Sequence, residues 1–105
     1  MSEHLDSCLV VGGGIIAAGA VAPLVAAGAR VTVVSPRLAP ALLEVAREGR
    51  LCWWPREYAA GDVSGFARVV AATGDAAVNG RVLAEARERG VPITLARAGP
   101  IGVDR

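Results

Sequence analysis

Lysine is absent from this chain of 105 residues, histidine occurs once, at His4, and cysteine twice, at Cys8 and Cys52. A lone histidine in a terminus expected to fray supports neither a Ser-His-Asp relay nor a His-based metal centre, so no catalytic residue and no metal ligand is assigned. Both cysteines fall in predicted strands, where a small apolar side chain is the expected role rather than a disulfide or a metal ligand. Without lysine, all eleven basic side chains are arginine, in a chain dominated by alanine, glycine, valine and arginine of the kind GC-rich codons produce. Arginine abundance is therefore no sign of phosphate recognition, and a net charge of +1 lacks the basic excess of a nucleic-acid binder. No segment reaches the ~18–20 uninterrupted apolar residues of a membrane span. The start Met1-Ser2-Glu3-His4-Leu5-Asp6 has no signal-peptide charge pattern, so a cytoplasmic location and no membrane partner are expected.

What remains is an ordinary globular composition, 53% hydrophobic, in one predicted domain over residues 1–105 with no room for a second domain beside it. Short apolar runs alternate with alanine-rich helical stretches to the end of the chain, without repeat or linker, which is the pattern of a layered α/β domain. Strands are expected near 8–12, 31–35, 51–54, 68–73 and 91–96, rich in Val, Ile, Leu or Trp as buried parallel strands are. Right-handed crossovers then predict the order 3-2-1-4-5.

A helix should follow the first strand and stop at Gly28, with a kink or an early end near residues 19–23. There Pro23 removes the hydrogen bond to residue 19, at a cost of ~3 kcal/mol unless the backbone bends. A second helix has Pro40 in its first turn, Gly49 past its end and an apolar stripe of Leu42, Leu43, Val45 and Ala46. A third should run from Ala76 to Arg89, capped by Asp75 and stopped by Gly90, with Val78, Val82, Leu83 and Ala86 inward. Arg81, Glu85 and Arg89, four apart, read as an ion-pair row on its wet side. Trp53 and Trp54 are neighbours in one strand and should point to opposite faces, both as packing residues.

The chemistry is concentrated in Cys8-Leu9-Val10-Val11-Gly12-Gly13-Gly14-Ile15-Ile16-Ala17, a strand that breaks into glycines and then begins a helix. In Gly12-x-Gly14-x-x-Ala17 the first glycine permits the tight turn, the second lets a pyrophosphate approach the backbone, and the small third residue lets helix and strand pack closely. Free N–H groups at the helix start would face the phosphates, with a dipole gain of roughly 0.3–1 kcal/mol. Strand, turn, helix and second strand fit one βαβ unit of about 30 residues. The expected fold is thus a Rossmann-like three-layer domain around a five-stranded parallel sheet, with a dinucleotide as partner.

The second strand ends in Ser35-Pro36-Arg37, where a NAD site often places an acid. Ser35 could bond a ribose hydroxyl and the backbone of Pro36 and Arg37 could wall the adenine. Arg37 could instead attract a 2′-phosphate, so NAD is the expected cofactor with NADP left open, and a solvated arginine in a turn is the bland alternative. At the fourth strand's end Thr73 is a candidate cofactor contact or a strand cap, and Asn79 either faces the crevice or is an ordinary polar position.

In order and spacing, Leu9-Val10-Val11-Gly12-Gly13-Gly14, Gly28-Ala29-Arg30-Val31-Thr32-Val33-Val34-Ser35-Pro36, Ala71-Ala72-Thr73 and Val78-Asn79 resemble the N-terminal domain of siroheme synthases. Gly49-Arg50-Leu51 with Trp53, and Tyr58-Ala59-Ala60-Gly61-Asp62, extend the resemblance over about residues 8–96. The family includes precorrin-2 dehydrogenase/sirohydrochlorin ferrochelatase. The resemblance implies NAD-dependent oxidation of precorrin-2, a tetrapyrrole, to sirohydrochlorin, with the cofactor touching Ile15, Ile16, Pro36 and Arg37; iron insertion is a second activity in several members. Those enzymes continue into a dimerisation and substrate-binding region that is not expected here. They also carry an aspartate in a Val-Asp-Asp-Pro-like stretch after the fifth strand, where this chain has Ala96-Arg97-Ala98-Gly99-Pro100, with Asp104 too far along to match. The basic pair usual in their first helix is here Gly19-Ala20.

Three readings follow. The chain is a small dehydrogenase or the cofactor subunit of one, completed by a homodimer or a partner chain. Alternatively it is a non-catalytic NAD(P)-binding module, a sensor, regulator or assembly partner. The blandest reading is a fragment that folds without binding anything.

Overall fold

Strands form where β-branched and apolar residues run together without alternation, because helices or loops cover both faces of the sheet they make. The computed structural model describes residues 7–97, so His4, Ala98 to Pro100 and Asp104 lie outside the described residues. Five parallel strands, β1 (Ser7–Val11), β2 (Arg30–Val34), β3 (Leu51–Trp54), β4 (Arg68–Ala71) and β5 (Ile93–Leu95), stand in the order β3-β2-β1-β4-β5. Helices α1 (Ile15–Ala26), α2 (Pro40–Arg47) and α3 (Ala76–Glu88) connect them. This is the order and layering expected from right-handed crossovers.

Register sorts the side chains into two cores. Val10 of β1 pairs with Val33 of β2 and Val70 of β4, and Val33 pairs in turn with Trp53. That row belongs to one buried cluster, closed by Ala17 and Val21 of α1 and Leu42 of α2. One residue along, Val11 pairs with Val34 and Ala71, and Val34 with Trp54, a row buried on the opposite face against Tyr58, Val63 and Val82. Trp53 and Trp54 therefore do face opposite ways, as the two-residue period of a strand requires. Trp54 stacks edge-on to Phe66, ring centroids 5.9 Å apart. Ala17, the small third position of the glycine pattern, is wholly buried, which lets α1 lie close on the sheet. Cys8 is buried in the first cluster while Cys52 is exposed, and neither forms a disulfide.

Several expectations are corrected. α1 does not end near residues 19–23: it continues through Pro23 to Ala26. Position 19, whose carbonyl the proline ring would crowd, is glycine. Beyond it the last turn is fastened by Ala27 N–H to Pro23 O, Gly28 N–H to Val25 O and Ala29 N–H to Leu24 O, each 3.0 Å, and by Leu24 and Val25 packing on the core. Gly28, at φ +87°, closes this helix end in a Schellman arrangement, and Gly49 and Gly90 close α2 and α3 in the same way. β4 is shorter than 68–73 and β5 shorter than 91–96. Pro92 offers a carbonyl to Val69 N–H at 2.9 Å but has no N–H of its own to extend the ladder. Leu83, expected inward, is only half-buried, and the burial of α3 falls on Val82 and Ala86.

α3 begins on Asp75, whose carboxylate accepts from Ala77 N–H at 2.9 Å and Val78 N–H at 3.4 Å. Asp75→Ala leaves those two donors without their side-chain acceptor and is expected to lower stability by about 0.5–2 kcal/mol. The check is a lower urea midpoint with an unchanged slope.

Candidate functional site

The chain leaves β1 through three glycines that do three different jobs. Gly12 adopts φ +127°, and a Cβ there would sit 2.3 Å from the Ala72 carbonyl oxygen, so only glycine lets the end of β1 lie against β4. A Cβ on Gly13 would sit 2.0 Å from the Arg37 carbonyl oxygen and 2.6 Å from Ser35 Oγ, so this residue admits the loop after β2. The Gly13 carbonyl accepts from Ala39 N–H at 2.7 Å, tying that loop down. Gly14 meets nothing within 4 Å on its Cβ side. It is the N-cap of α1 and has no side-chain capping bond, so the first N–H groups of the helix open toward free space.

That space is a crevice at the carboxyl ends of the strands, between β1 and β4, where the chain reverses direction across the sheet. One lobe, of about 480 Å³, is lined by Gly12, Gly13, Gly14, Ile15, Ile16, Ser35, Pro36, Ala72, Thr73 and Gly74. Eight of the nine residues singled out from sequence thus converge there. Arg37 is the exception, standing exposed just beyond Pro36. Ile15 is 86% exposed at the first helical position, an isoleucine left in water at the mouth of a cavity. Ala72 and Gly74, small residues at the end of the fourth strand, line it as well, brought there by the β1–β4 pairing.

The hydroxyls in this lobe are already engaged. Ser35, 9% exposed, donates to the Arg37 carbonyl at 2.7 Å, and its own carbonyl accepts the Trp53 indole N–H at 2.8 Å. Thr73 donates its hydroxyl to Asn79 Oδ1 at 2.7 Å, while Asn79 Oδ1 also accepts Thr73 N–H at 3.2 Å and Asn79 Nδ2 donates to the Thr73 carbonyl at 3.0 Å. Asn79 therefore fixes the end of β4, a role that neither of the two readings of it from sequence named. Trp53 pins the end of β2 with its N–H as well as packing, a role the strand pattern could not reveal.

A second lobe, of about 250 Å³, shares Gly12, Ser35, Pro36 and Thr73 and continues over the other face, along Val11, Val34, Glu57, Tyr58, Asp75, Val78 and Arg81. Its wall is the 55–67 loop. In it Asp62 accepts both guanidinium nitrogens of Arg56, at 2.8 and 2.9 Å, and Ala59 N–H at 2.8 Å. The Arg56 guanidinium also lies 5.1 Å from the centre of the Trp54 ring. Glu85 is not part of a wet ion-pair row: its side chain is 11% exposed and accepts the Tyr58 hydroxyl and Gly61 N–H besides Arg89 Nε at 3.1 Å. Packing of the loop against α3 turns that helix face inward at this point. Burial pushes the Glu85 carboxyl up, but the bonds from Tyr58, Gly61 and Arg89 outweigh it and hold it below the usual carboxylate range. Burial likewise works against Asp62, and Arg56 and Ala59 N–H bring it down. Tyr58 is raised by burial and by its bond to Glu85.

Among the described residues no cluster of three His, Cys, Asp or Glu could hold a metal ion, and no helix is long and apolar enough to cross a membrane.

Residues 4–100 match the family model described as "Putative NAD(P)-binding". Siroheme synthase of Methylobacillus flagellatus is 45% identical over 91 residues, which cover 87% of this chain and 20% of that protein. That of Chromobacterium violaceum is 44% identical over 88 residues, 84% of this chain and 19% of that protein. The chain thus spans about a fifth of the length of these curated relatives. Among solved structures, SirC, precorrin-2 dehydrogenase, superposes with a TM-score of 0.78 at 26% identity, over 100% of this chain and 51% of its own.

Two outcomes test the division of labour in the glycine turn and the loop that walls it. Gly12→Ala is expected to destabilise by at least about 2 kcal/mol, from a left-handed backbone and a clash with main chain. Gly14→Ala should stay within about 0.5 kcal/mol of the parent, and thermal unfolding of the two side by side reads the contrast. Because Glu85 and Asp62 are both held low when folded, their stabilisation is complete above the ordinary carboxylate range and is lost as pH falls below it. Urea midpoints measured from about pH 6 down to 3 should decline, less steeply in Glu85→Gln.

Proposed function

Since the chain belongs to this NAD(P)-binding family, we propose that NAD is its cofactor, bound with the diphosphate over Gly12 to Ile16, and that the domain serves oxidation of precorrin-2 to sirohydrochlorin. One observation carries the reading: Gly14 is open on its Cβ side at the switch point of the sheet, beneath helix N–H groups that no side chain caps. The residues present suit such a group. N–H dipoles at a helix start favour a doubly ionised diphosphate, and the absence of a side chain at Gly14 allows main-chain approach. Ile15 would lose much of its exposure to water against a bound ring system; complete burial of such a side chain is worth about 1.5–3 kcal/mol.

When bound, NAD supplies a hydride acceptor, and the two-electron oxidation then leaves one proton for solvent or a base. The chain's own residues bind and orient. Gly12 to Ile16 hold the diphosphate, Ser35 and Pro36 wall the adenosine end, and Thr73, fixed by Asn79, borders the passage to the second lobe. That lobe, with Tyr58 and Arg81, is where a tetrapyrrole bearing carboxylates would approach. Hydride transfer requires an oriented site with water kept out. A second copy or a partner chain in the cytoplasm is proposed to complete the enclosure, because both lobes open to solvent.

A second reading has its own support. Arg97 follows β5 where the resemblance places an acid, so a chain that binds NAD(P) without catalysing oxidation, as a sensor or assembly partner, is the alternative.

Titration calorimetry with NAD, followed by anaerobic turnover with precorrin-2 monitored by NADH absorbance, separates the two. Binding in the micromolar range with turnover, alone or with a partner chain, is the expected outcome. Binding without turnover in any combination selects the module. Absence of binding, with Gly14→Ala indistinguishable from the parent, removes both.

A further inference from the structure

Helices α2 and α3 each turn charged side chains to water, Glu44 and Arg47 on the first, Arg81, Arg87 and Glu88 on the second. α1 does not. Its residues run Ile-Ile-Ala-Ala-Gly-Ala-Val-Ala-Pro-Leu-Val-Ala, without one polar side chain. Ala17 and Val21 are buried against the sheet, while Ile15, Gly19, Ala22, Pro23 and Ala26 are exposed. At about 100° per residue those five fall within one arc of about 100°, a stripe running the length of the helix on the side away from the sheet. A helix that is apolar all round is ordinarily covered all round.

The stripe borders a groove of about 210 Å³ between α1 and α2, lined by Ala18, Val21, Ala22 and Val25 of the first helix, Leu42 and Val45 of the second, and Arg50. Ala22 and Ala26 belong both to the exposed stripe and to the groove wall. Ala18, Ala22 and Ala26, four apart, make a ridge without bulk over which a second helix can lie close. Ridges of this spacing interlock with their like at a crossing angle of about −50°.

The charges beside the groove bear on what covers it. α2 and the turn after it carry Glu44 with Arg47 at 3.5 Å and Glu48 with Arg50 at 3.4 Å, all four side chains more than half exposed. A rim of one sign would call for a partner of the other sign. A rim holding both signs in equal number complements itself, because a half-turn sets the acids of one copy against the arginines of another, as an isologous contact requires.

We propose that this face binds a second copy of the chain, with α1 and the α1–α2 groove of one protomer packed on those of its partner about a two-fold axis. The proposal does not depend on the dinucleotide reading. Ile15 heads the stripe and also lines the larger lobe, so the contact begins where the crevice opens. α1 is about 18 Å long and two helices side by side span about 20 Å, a footprint of roughly 350–400 Å² in projection. A standard interface takes about 800 Å² of accessible surface from each partner. The contact therefore belongs among the small, reversible ones, with a dissociation constant in the micromolar range.

Sedimentation equilibrium of the whole chain without dinucleotide, from about 5 to about 500 μM, reads the association. The mass should rise from the 10.7 kDa of one chain toward twice that value. Ala22→Glu puts a carboxylate into the stripe, outside the crevice, and should weaken association at least about tenfold, since that charge would be buried in the dimer. Ala26→Lys, at the end of α1 where the helix dipole favours a cation, should act likewise and serves if glutamate at position 22 disturbs the fold. Ala84→Glu, the same change at an exposed position of α3, should leave the association unaltered. Thermal midpoints equal to the parent's at the lowest concentration show that the variants fold. A chain that keeps its monomer mass at every concentration overturns the proposal and leaves the face to a different protein or to lipid. So does a dimer that both stripe variants leave intact, because the contact then lies elsewhere. Dinucleotide binding by the parent, read by calorimetry, stands or falls separately.

Discussion

The site depends on two close approaches of main chain to main chain, at Gly12 against β4 and at Gly13 against the loop after β2. At Gly12 the turn is stitched on both sides, by Gly12 N–H to Val34 O at 3.1 Å and by Ala72 N–H to Val11 O at 2.8 Å. Any side chain at these two points would push the strand ends apart. With none, the carboxyl edges of β2, β1 and β4 come together as a continuous floor, and α1 starts directly above it. The same geometry that closes the sheet edge leaves Gly14 open.

A consequence is that the larger lobe is built from backbone and small or apolar side chains. Its two hydroxyls are turned to neighbours, Ser35 to Arg37 and Thr73 to Asn79. The polarity available to a ligand there is chiefly the dipole of α1 and its first N–H groups, a kind of recognition that suits a diphosphate and carries little information about what is attached to it. Arg37 stands exposed just beyond Pro36 at one rim, and Tyr58 and Arg81 line the second lobe at the other.

The glycine turn, the strand order and the capping of α3 by Asp75 were legible because each is a local pattern whose partner lies within a few residues or follows from a chirality rule. The continuation of α1 through Pro23 was not. A proline's local penalty is visible in sequence, whereas the packing of Leu24 and Val25 and the Gly28 closure that offset it are sums over the whole helix end. Glu85 was misread for a related reason. Its spacing to Arg89 is that of an exposed pair, but the loop carrying Tyr58 and Gly61, 24 to 27 residues earlier, folds onto that face. Asn79 and Trp53 carried no signal beyond their types, since what they do is set by which strand end lies opposite them.

By itself the sequence determined the layered α/β architecture, the place of the crevice and the residues that form its floor, because hydrophobic period, crossover handedness and the conformational freedom of glycine act locally. Only the tertiary structure decided which polar groups remain available. A hydrogen bond goes to the partner at the right distance and angle, and Ser35 to Trp53, Thr73 to Asn79 and Glu85 to Tyr58 become partners only once β2, β4 and α3 have packed.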